Sequence, residues 1–428
     1  MPSNQPSVTE HALQPPLSGD AVHQWYQIIM GFDWKLVHHI IDRLSIGPNH
    51  LVLDPFCGAG TTLVQCKKQG IRSVGVDANP VCTLASQVKT SWHLSPASLE
   101  DSLDSILLEA GAIDGHDMAG TDPALAYLQT SGMIERGWLS LHKAKKVVSI
   151  NTAIQNLDLT SAERKFFHLA LVSAVVDRIA DIKFGPEVYC LKEPKRTQVL
   201  NSFAATARLM IRDLEEIRRS APIRTPTNVL LGDSRQSDVL KRAVGPGADF
   251  VITSPPYPAE HDYTRSTRLE LILLGHIRAT TDLRPVKQRM LRCHTKGIYK
   301  DDSDSKFSSR YRSVQKIAQS LDRRAKHRTD GFSRLYGRMV REYFGGMARH
   351  LRRTYEALKP GGRCAYVIRD QQSLLGLYID TPQVVAQLAQ SRSQGFKLEE
   401  VVEWKRAKGS TGKRVLSEKI VILRKPNR

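Results

Sequence analysis

Short apolar runs alternate with helical periodicity along the first 90 residues. Val52-Leu53 is an apolar strand that runs into Asp54-Pro55-Phe56-Cys57-Gly58-Ala59-Gly60-Thr61-Thr62-Leu63. The pattern predicts a helix over 61–69, closed by Gly70, and a second strand over 73–77 that ends in Asp77. Strand, Gly-rich turn, helix and acid-ended strand form the first half of a doubly wound α/β sheet. The rhythm then changes. Residues 91–226 read as mostly helical: Val199, Phe203, Met210, Leu214 and Ile217 share one helical face, and Ala162 to Phe184 is apolar at helical spacing. The sheet resumes with strands over 228–233 and 249–253. After a basic, weakly periodic stretch at 284–341, a helix is predicted over 341–358, ended by Lys359-Pro360-Gly361-Gly362. Strands then fit 363–368, 396–404 and 419–423.

This order predicts one α/β domain in two segments, 22–90 and 227–428. A flexible N-terminal segment, 1–21, precedes it, and a helical subdomain, 91–226, is inserted into it. The stretch 284–341 is expected to be an exposed loop or arm, partly helical. No internal repeat is present.

Two motifs carry candidate chemistry. In the first, glycines in a strand-to-helix turn let backbone N–H groups approach a ligand, and the helix N-terminus adds a positive dipole. Asp77, at the end of the next strand, is placed to accept hydrogen bonds from two ribose hydroxyls. An adenosine-containing cofactor is the expected ligand class. The dinucleotide fingerprint G-x-G-x-x-G is incomplete, because Leu63 stands where its third glycine would be. A phosphate-binding P-loop fails around Gly412-Lys413, where Ala407 and Arg414 occupy the flanking positions. Residues 409–414 read instead as a flexible basic loop.

The second motif, Ser254-Pro255-Pro256-Tyr257, follows the strand over 249–253. Two prolines fix the backbone and remove two donors, which leaves local carbonyls as acceptors. Such acceptors beside an aromatic face suit a planar heterocycle that bears an amino group. Tyr257 would stack on the ring, while Ser254 Oγ and the Pro255 carbonyl accept the amino protons. The competing reading is a rigid loop with Tyr257 packed in the core.

Charge narrows the substrate class. The formal net charge is +19, and it is unevenly distributed. Residues 1–258 hold 25 Lys+Arg against 26 Asp+Glu, whereas 259–428 hold 37 against 17. The stretch 284–341 alone holds 17 basic and five acidic residues. Excess confined to one part of the chain points to a polyanion-binding surface, nucleic acid first. The six cysteines are scattered without metal-ligand or disulfide spacing, which suits a reducing cytoplasm, and no metal site is expected. Residues 1–20 contain no Lys or Arg and no apolar core, so no targeting signal is expected there. The apolar stretch 166–176 is too short to span a bilayer, and no membrane partner is expected.

The two motifs together resemble the S-adenosylmethionine-dependent amino-methyltransferases of nucleic acid. Residues 54–62 resemble their cofactor motif, Ser254 to Tyr257 their catalytic motif in its serine form, and Leu358 to Gly362 a later part of the same fold. The resemblance covers 22–90, 227–263 and 341–425. It implies a Rossmann-like methyltransferase sheet with S-adenosylmethionine as cofactor. It further implies that Asp54, Phe56, Gly58, Gly60, Thr61 and Thr62 form the cofactor loop. Asp77 would bind the ribose and Asp233 the adenine amino group. Residues 25–36 resemble the N-terminal part of the cofactor pocket. Ser254, Pro255, Pro256 and Tyr257 would hold the target base. Within the family the serine form is associated mainly with cytosine N4 in DNA and an aspartate form mainly with adenine N6. The expected function is therefore site-specific DNA methylation at an exocyclic amino group, cytosine N4 first. Adenine N6 in DNA or an RNA base is the alternative, with a non-catalytic binding module and then a dinucleotide oxidoreductase behind them. Carbon-5 cytosine chemistry needs a nucleophilic cysteine, usually after proline, and none of the six follows one.

Overall fold

A computed structural model describes residues 21–29, 31, 33–113, 122–184, 187–258, 261–408 and 415–427. The segment 1–21, except Ala21, and the basic loop 409–414 lie outside the described residues.

Seven strands build the central sheet: β1 (Leu51–Asp54), β2 (Arg72–Asp77), β5 (Thr227–Leu231), β6 (Ala248–Thr253), β7 (Leu358–Arg369), β8 (Lys397–Lys408) and β9 (Val415–Arg424). Their spatial order is β5-β2-β1-β6-β7-β9-β8. All neighbouring pairs are parallel except those made by β9, which runs antiparallel to both β7 and β8. This is a doubly wound, Rossmann-like sheet. The chain order reverses between β1 and β6, so the ends of these two strands flank the crevice where such sheets bind ligands.

The apolar run in β1 follows from its central place. Leu53 packs into one core, with helix α15 (Tyr336–Ala357), while Val52 packs into the opposite core, with α1 (Trp34–Arg43). A strand covered on both faces has no solvent side to alternate with. Helix α2 (Thr61–Lys68) follows β1, and α3 (Pro80–Lys89) follows β2 with Pro80 in its first turn and an Asn79 cap.

Among the described residues, the insertion after α3 holds the α-helices α4 (Pro96–Ala112), α5 (Pro123–Thr130), α6 (Leu141–Asn156), α7 (Ser161–Ala174) and α8 (Val199–Ser220). Their core is continuous with the outer face of α3 and with Trp25 and Tyr26. The helical periodicity read through Phe184 ends sooner than expected. Strands β3 (Ile182–Phe184) and β4 (Val188–Cys190) form an antiparallel hairpin instead. Asp181 makes the difference: its buried carboxylate receives Lys143 Nζ at 2.6 Å and the Lys195 backbone N–H at 2.7 Å.

The basic stretch is more ordered than an exposed arm. After α9 (Val239–Val244), α10 (Tyr263–Ser266) and α11 (Arg268–Leu273) come α12 (Leu283–Arg289), α13 (Ser305–Ser308) and α14 (Arg312–Ala325). Helix α14 buries Val314, Ala318, Leu321 and Ala325 at helical spacing and exposes its basic face. Helix α15 admits the segment closely. A Cβ on Gly345 would overlap the Asp304 carbonyl, and one on Gly346 would meet Leu291. The helix predicted over 341–358 accordingly begins earlier, at Tyr336. A last helix, α16 (Thr381–Ala389), precedes β8.

Candidate active site

Asp54 ends β1 with a fully buried carboxylate. Its Oδ1 accepts the Phe56 N–H at 3.1 Å and the Thr253 hydroxyl at 2.6 Å. Thr253 is the last residue of β6, so this one carboxylate ties the two motif loops together. Burial pushes its pKa up to about 6.

Beyond it the chain turns through Gly58 and Gly60, both at positive φ. The reason for glycine at position 60 is packing: a Cβ there would come within 2.9 Å of Ser86 Oγ and 3.1 Å of Ser86 Cα on α3. A Cβ on Gly58 would meet Ile28 Cδ1 at 2.7 Å. Ser86 donates to the Gly58 carbonyl at 2.7 Å, which fixes the loop against α3.

Asp77 ends β2 beside this loop. Its Oδ2 accepts the Gly58 N–H at 2.9 Å and its Oδ1 the Asn79 N–H at 2.8 Å. Burial raises its pKa to about 6, against the lowering effect of those N–H groups. Asp233 follows β5. Arg235 grips it: Nε and the backbone N–H donate to Oδ1, both at 2.9 Å, and Nη2 donates to Oδ2 at 2.8 Å.

These residues converge on one cleft. Phe56, Gly58, Thr61, Asp77, Asp233, Ser254, Pro255, Pro256 and Tyr257 all line it. Asp54, Gly60 and Thr62 do not. They lie beneath it, and Thr62 is buried with its hydroxyl 3.4 Å from the Ile252 carbonyl. Ile28, Ile29 and Gly31 close one side. Their segment is anchored by Trp25 Nε1, which donates to Asp213 at 2.8 Å, and by Tyr26 Oη, which donates to Glu270 at 2.7 Å.

Both expectations for Tyr257 meet in one placement. Its side chain is 5% exposed and belongs to a hydrophobic core, yet it also borders the cleft. Its hydroxyl lies 3.1 Å from Ser254 Oγ. Burial, first of all, raises the phenol pKa, and the nearby Glu418 carboxylate adds to it. The Pro256 carbonyl is already taken, by Tyr343 Oη at 2.8 Å.

Several supporting residues gave no sequence signal. His350, on α15, packs its ring 4.6 Å from Phe56 and bonds Ser234 Oγ at 3.0 Å and Tyr366 Oη at 2.8 Å. Burial lowers its pKa to about 3, so it stays neutral. Asp304 holds Arg235 Nη1 and Arg349 Nη1, each at 2.5 Å. Tyr263, Arg289, Met290, Leu291 and Cys293 complete the cleft wall from the segment after the catalytic motif.

Arg235 is 5% exposed between two carboxylates that are themselves nearly buried. Arg235→Met is expected to cost about 3–5 kcal/mol, because two buried charges lose their cation. Chemical denaturation followed by circular dichroism measures this, and an unchanged midpoint would contradict the role.

Among the described residues, no group of three or more His, Cys, Asp or Glu could hold a metal ion, and no helix is long and apolar enough to cross a membrane. The cleft fits S-adenosylmethionine. The cleft brings the Asp77 and Asp233 carboxylates, the Phe56 ring and the Gly-rich loop to one place, a set of groups suited to an adenosine-containing ligand.

Comparison with known proteins agrees with this geometry. The N6/N4 methyltransferase family model, described as DNA methylase, matches residues 31–87. The type II methyltransferase M.BsoBI of Geobacillus stearothermophilus is 23% identical over 441 residues, covering 95% of this chain and 84% of that protein. The type II methyltransferase M.AvaI of Anabaena variabilis is 22% identical, covering 94% and 86%. M.MjaII of Methanocaldococcus jannaschii, another type II methyltransferase, reaches 43% over 56 residues, 13% of this chain and 10% of that one. Among solved structures, the rRNA methyltransferase aviRa from Streptomyces viridochromogenes aligns over 98% of this chain and 96% of that one, at 11% identity. Its TM-score of 0.36 is too low to bear on fold or function. These likenesses, with the geometry, support an S-adenosylmethionine-dependent amino-methyltransferase of the N4/N6 type.

Proposed function

We propose that the chain is a site-specific DNA methyltransferase that modifies N4 of cytosine. The observation that carries this reading is Ser254 Oγ, held 3.1 Å from Tyr257 Oη at the end of β6 and facing the cleft that Asp77 and Asp233 also line. The curated relatives that span most of the chain are type II methyltransferases, which favours DNA as the substrate.

The bound cofactor supplies an electrophilic methyl group on a sulfonium. The work left to the protein is to position an amino nitrogen and raise its nucleophilicity. A base flipped from the duplex, at a cost of a few kcal/mol, enters between the catalytic motif and the cofactor loop. The Glu418 carboxylate lies near Tyr257 Oη, where it would accept the phenol O–H. Ser254 then gives its own proton to Tyr257 and keeps its lone pairs for the incoming amino group. An N–H donated to Ser254 Oγ and another to the Pro255 carbonyl draw the nitrogen lone pair out of conjugation with the ring. The gain comes from positioning and preorganised acceptors, without a covalent enzyme–base intermediate.

The test is a plasmid methylated with labelled cofactor, digested to nucleosides and resolved by mass. N4-methylcytosine is expected. N6-methyladenine would replace the proposed base, and label in RNA but not DNA would overturn the proposed substrate.

A further inference from the structure

A second cavity lies on the outer side of α15, apart from the cleft. It measures about 210 Å³, and its lining includes Phe307, Arg310, Arg349, Arg352, Arg353 and Ser393. We propose that this cavity binds a phosphate group.

Charge is the first argument. Arg349 pairs with Asp304, which also serves Arg235. Arg352 and Arg353 share Glu356, at 3.0 Å and 2.9 Å. Arg310 has no carboxylate partner among the described residues and lies 5.9 Å from the Tyr311 ring. Four guanidinium groups thus line one small cavity against two carboxylates, Asp304 and Glu356, and Asp304 is shared with Arg235, so the site is short of anionic charge.

Hydrogen bonding is the second argument. Arg353 Nε is buried and has no hydrogen-bond partner. A buried charged donor without an acceptor is costly, and an oxyanion in the cavity would relieve it. The shape is also set in advance. The Arg349 guanidinium stacks 5.3 Å from the Phe307 ring, and Arg352 Nη1 is held by the Ser393 carbonyl at 3.1 Å. Planar guanidiniums fixed around a cavity match a tetrahedral oxyanion with several acceptor atoms better than they match a single carboxylate.

Phosphate chemistry could arrive as a DNA phosphodiester or as a free phosphate. The first source rests on the DNA reading above; the cavity's affinity for phosphate does not. The experiment compares the full chain with the double variant Arg310→Gln/Arg352→Gln. Both residues are exposed enough to be changed without opening the core. Lys316→Gln/Arg323→Gln on the exposed face of α14 is a charge-matched control. Inorganic phosphate, titrated against chloride at constant ionic strength, is expected to raise the thermal midpoint of the parent chain and of the control but not of the cavity variant. Binding of a DNA duplex is measured in parallel. If the diester is the ligand, the cavity variant also loses about fivefold in affinity, and its salt slope falls by about one. If free phosphate is the ligand, DNA binding is unchanged. A parent chain that responds to phosphate no more than to chloride overturns the proposal, as does an equal response in the cavity variant.

Discussion

Ser254→Ala is expected to lower the turnover number by about 100- to 1,000-fold, the scale set by removal of one preorganised polar contact at a reacting centre. Affinity for S-adenosylmethionine should stay within about twofold. The separation follows from geometry: Ser254 lies just beyond the end of β6 and bonds Tyr257, while Asp77, the carboxylate proposed for the ribose, belongs to β2. Removing one hydroxyl leaves Asp54, Thr253 and the loop they tie in place. Single-turnover kinetics with saturating cofactor, together with calorimetric titration of the cofactor, give the two numbers. Equal losses in both would show that the serine supports the fold of the cleft rather than the target base.

Asp77→Ala should show the opposite split. Two charge-assisted hydrogen bonds from ribose hydroxyls are worth about 1.5–3 kcal/mol each, so a loss of about 100- to 10,000-fold in cofactor affinity is expected. Turnover at saturating cofactor should fall far less. Asp77 also accepts the Gly58 and Asn79 N–H groups, and Asp77→Asn keeps one acceptor for this scaffold. The pH dependence supplies an independent readout. Burial raises the Asp77 pKa to about 6, and the ionised form is the one that accepts two hydroxyls. Affinity should therefore be full above pH 6 and fall as the pH drops through that value, by up to tenfold per unit. Asp77→Asn should lose that component of the profile. A parent chain whose cofactor affinity is flat between pH 5 and 7 would contradict the assignment.

The cofactor half of the fold was legible because its signals are local. β1, β2, β5 and β6 fall within a residue or two of their predicted bounds, since a buried parallel strand between a turn and a loop reads as a short apolar run. The convergence of Phe56, Asp77, Asp233 and Ser254 on one cleft was likewise legible, because all four sit at or just beyond strand ends. What stayed hidden depends on partners far apart in the chain. Gly60 reads as a ligand-facing glycine until Ser86 is seen against it. The order within 284–341 rests on Asp304 meeting Arg235, 69 residues away, and on Gly345 and Gly346 admitting the segment. His350 looks like an ordinary helical residue, and only the packing shows that it backs Phe56. Asp181 turns an apolar helical run into a hairpin through Lys143 and Lys195, which no periodicity encodes.

Much of the positive charge that marks the later part of the chain is engaged inside the fold. Asp233, Arg235, Asp304 and Arg349 form an unbroken series of alternating charges from the Asp233 side of the cleft to the outer side of α15. No member can move without altering the field felt by the next. Whatever steadies Arg349 at the outer end steadies Asp233 at the inner one, and by linkage a ligand held at Asp233 steadies the segment that carries Asp304. The cleft and the basic segment are thus joined by four side chains, and a change in any one of them reaches both.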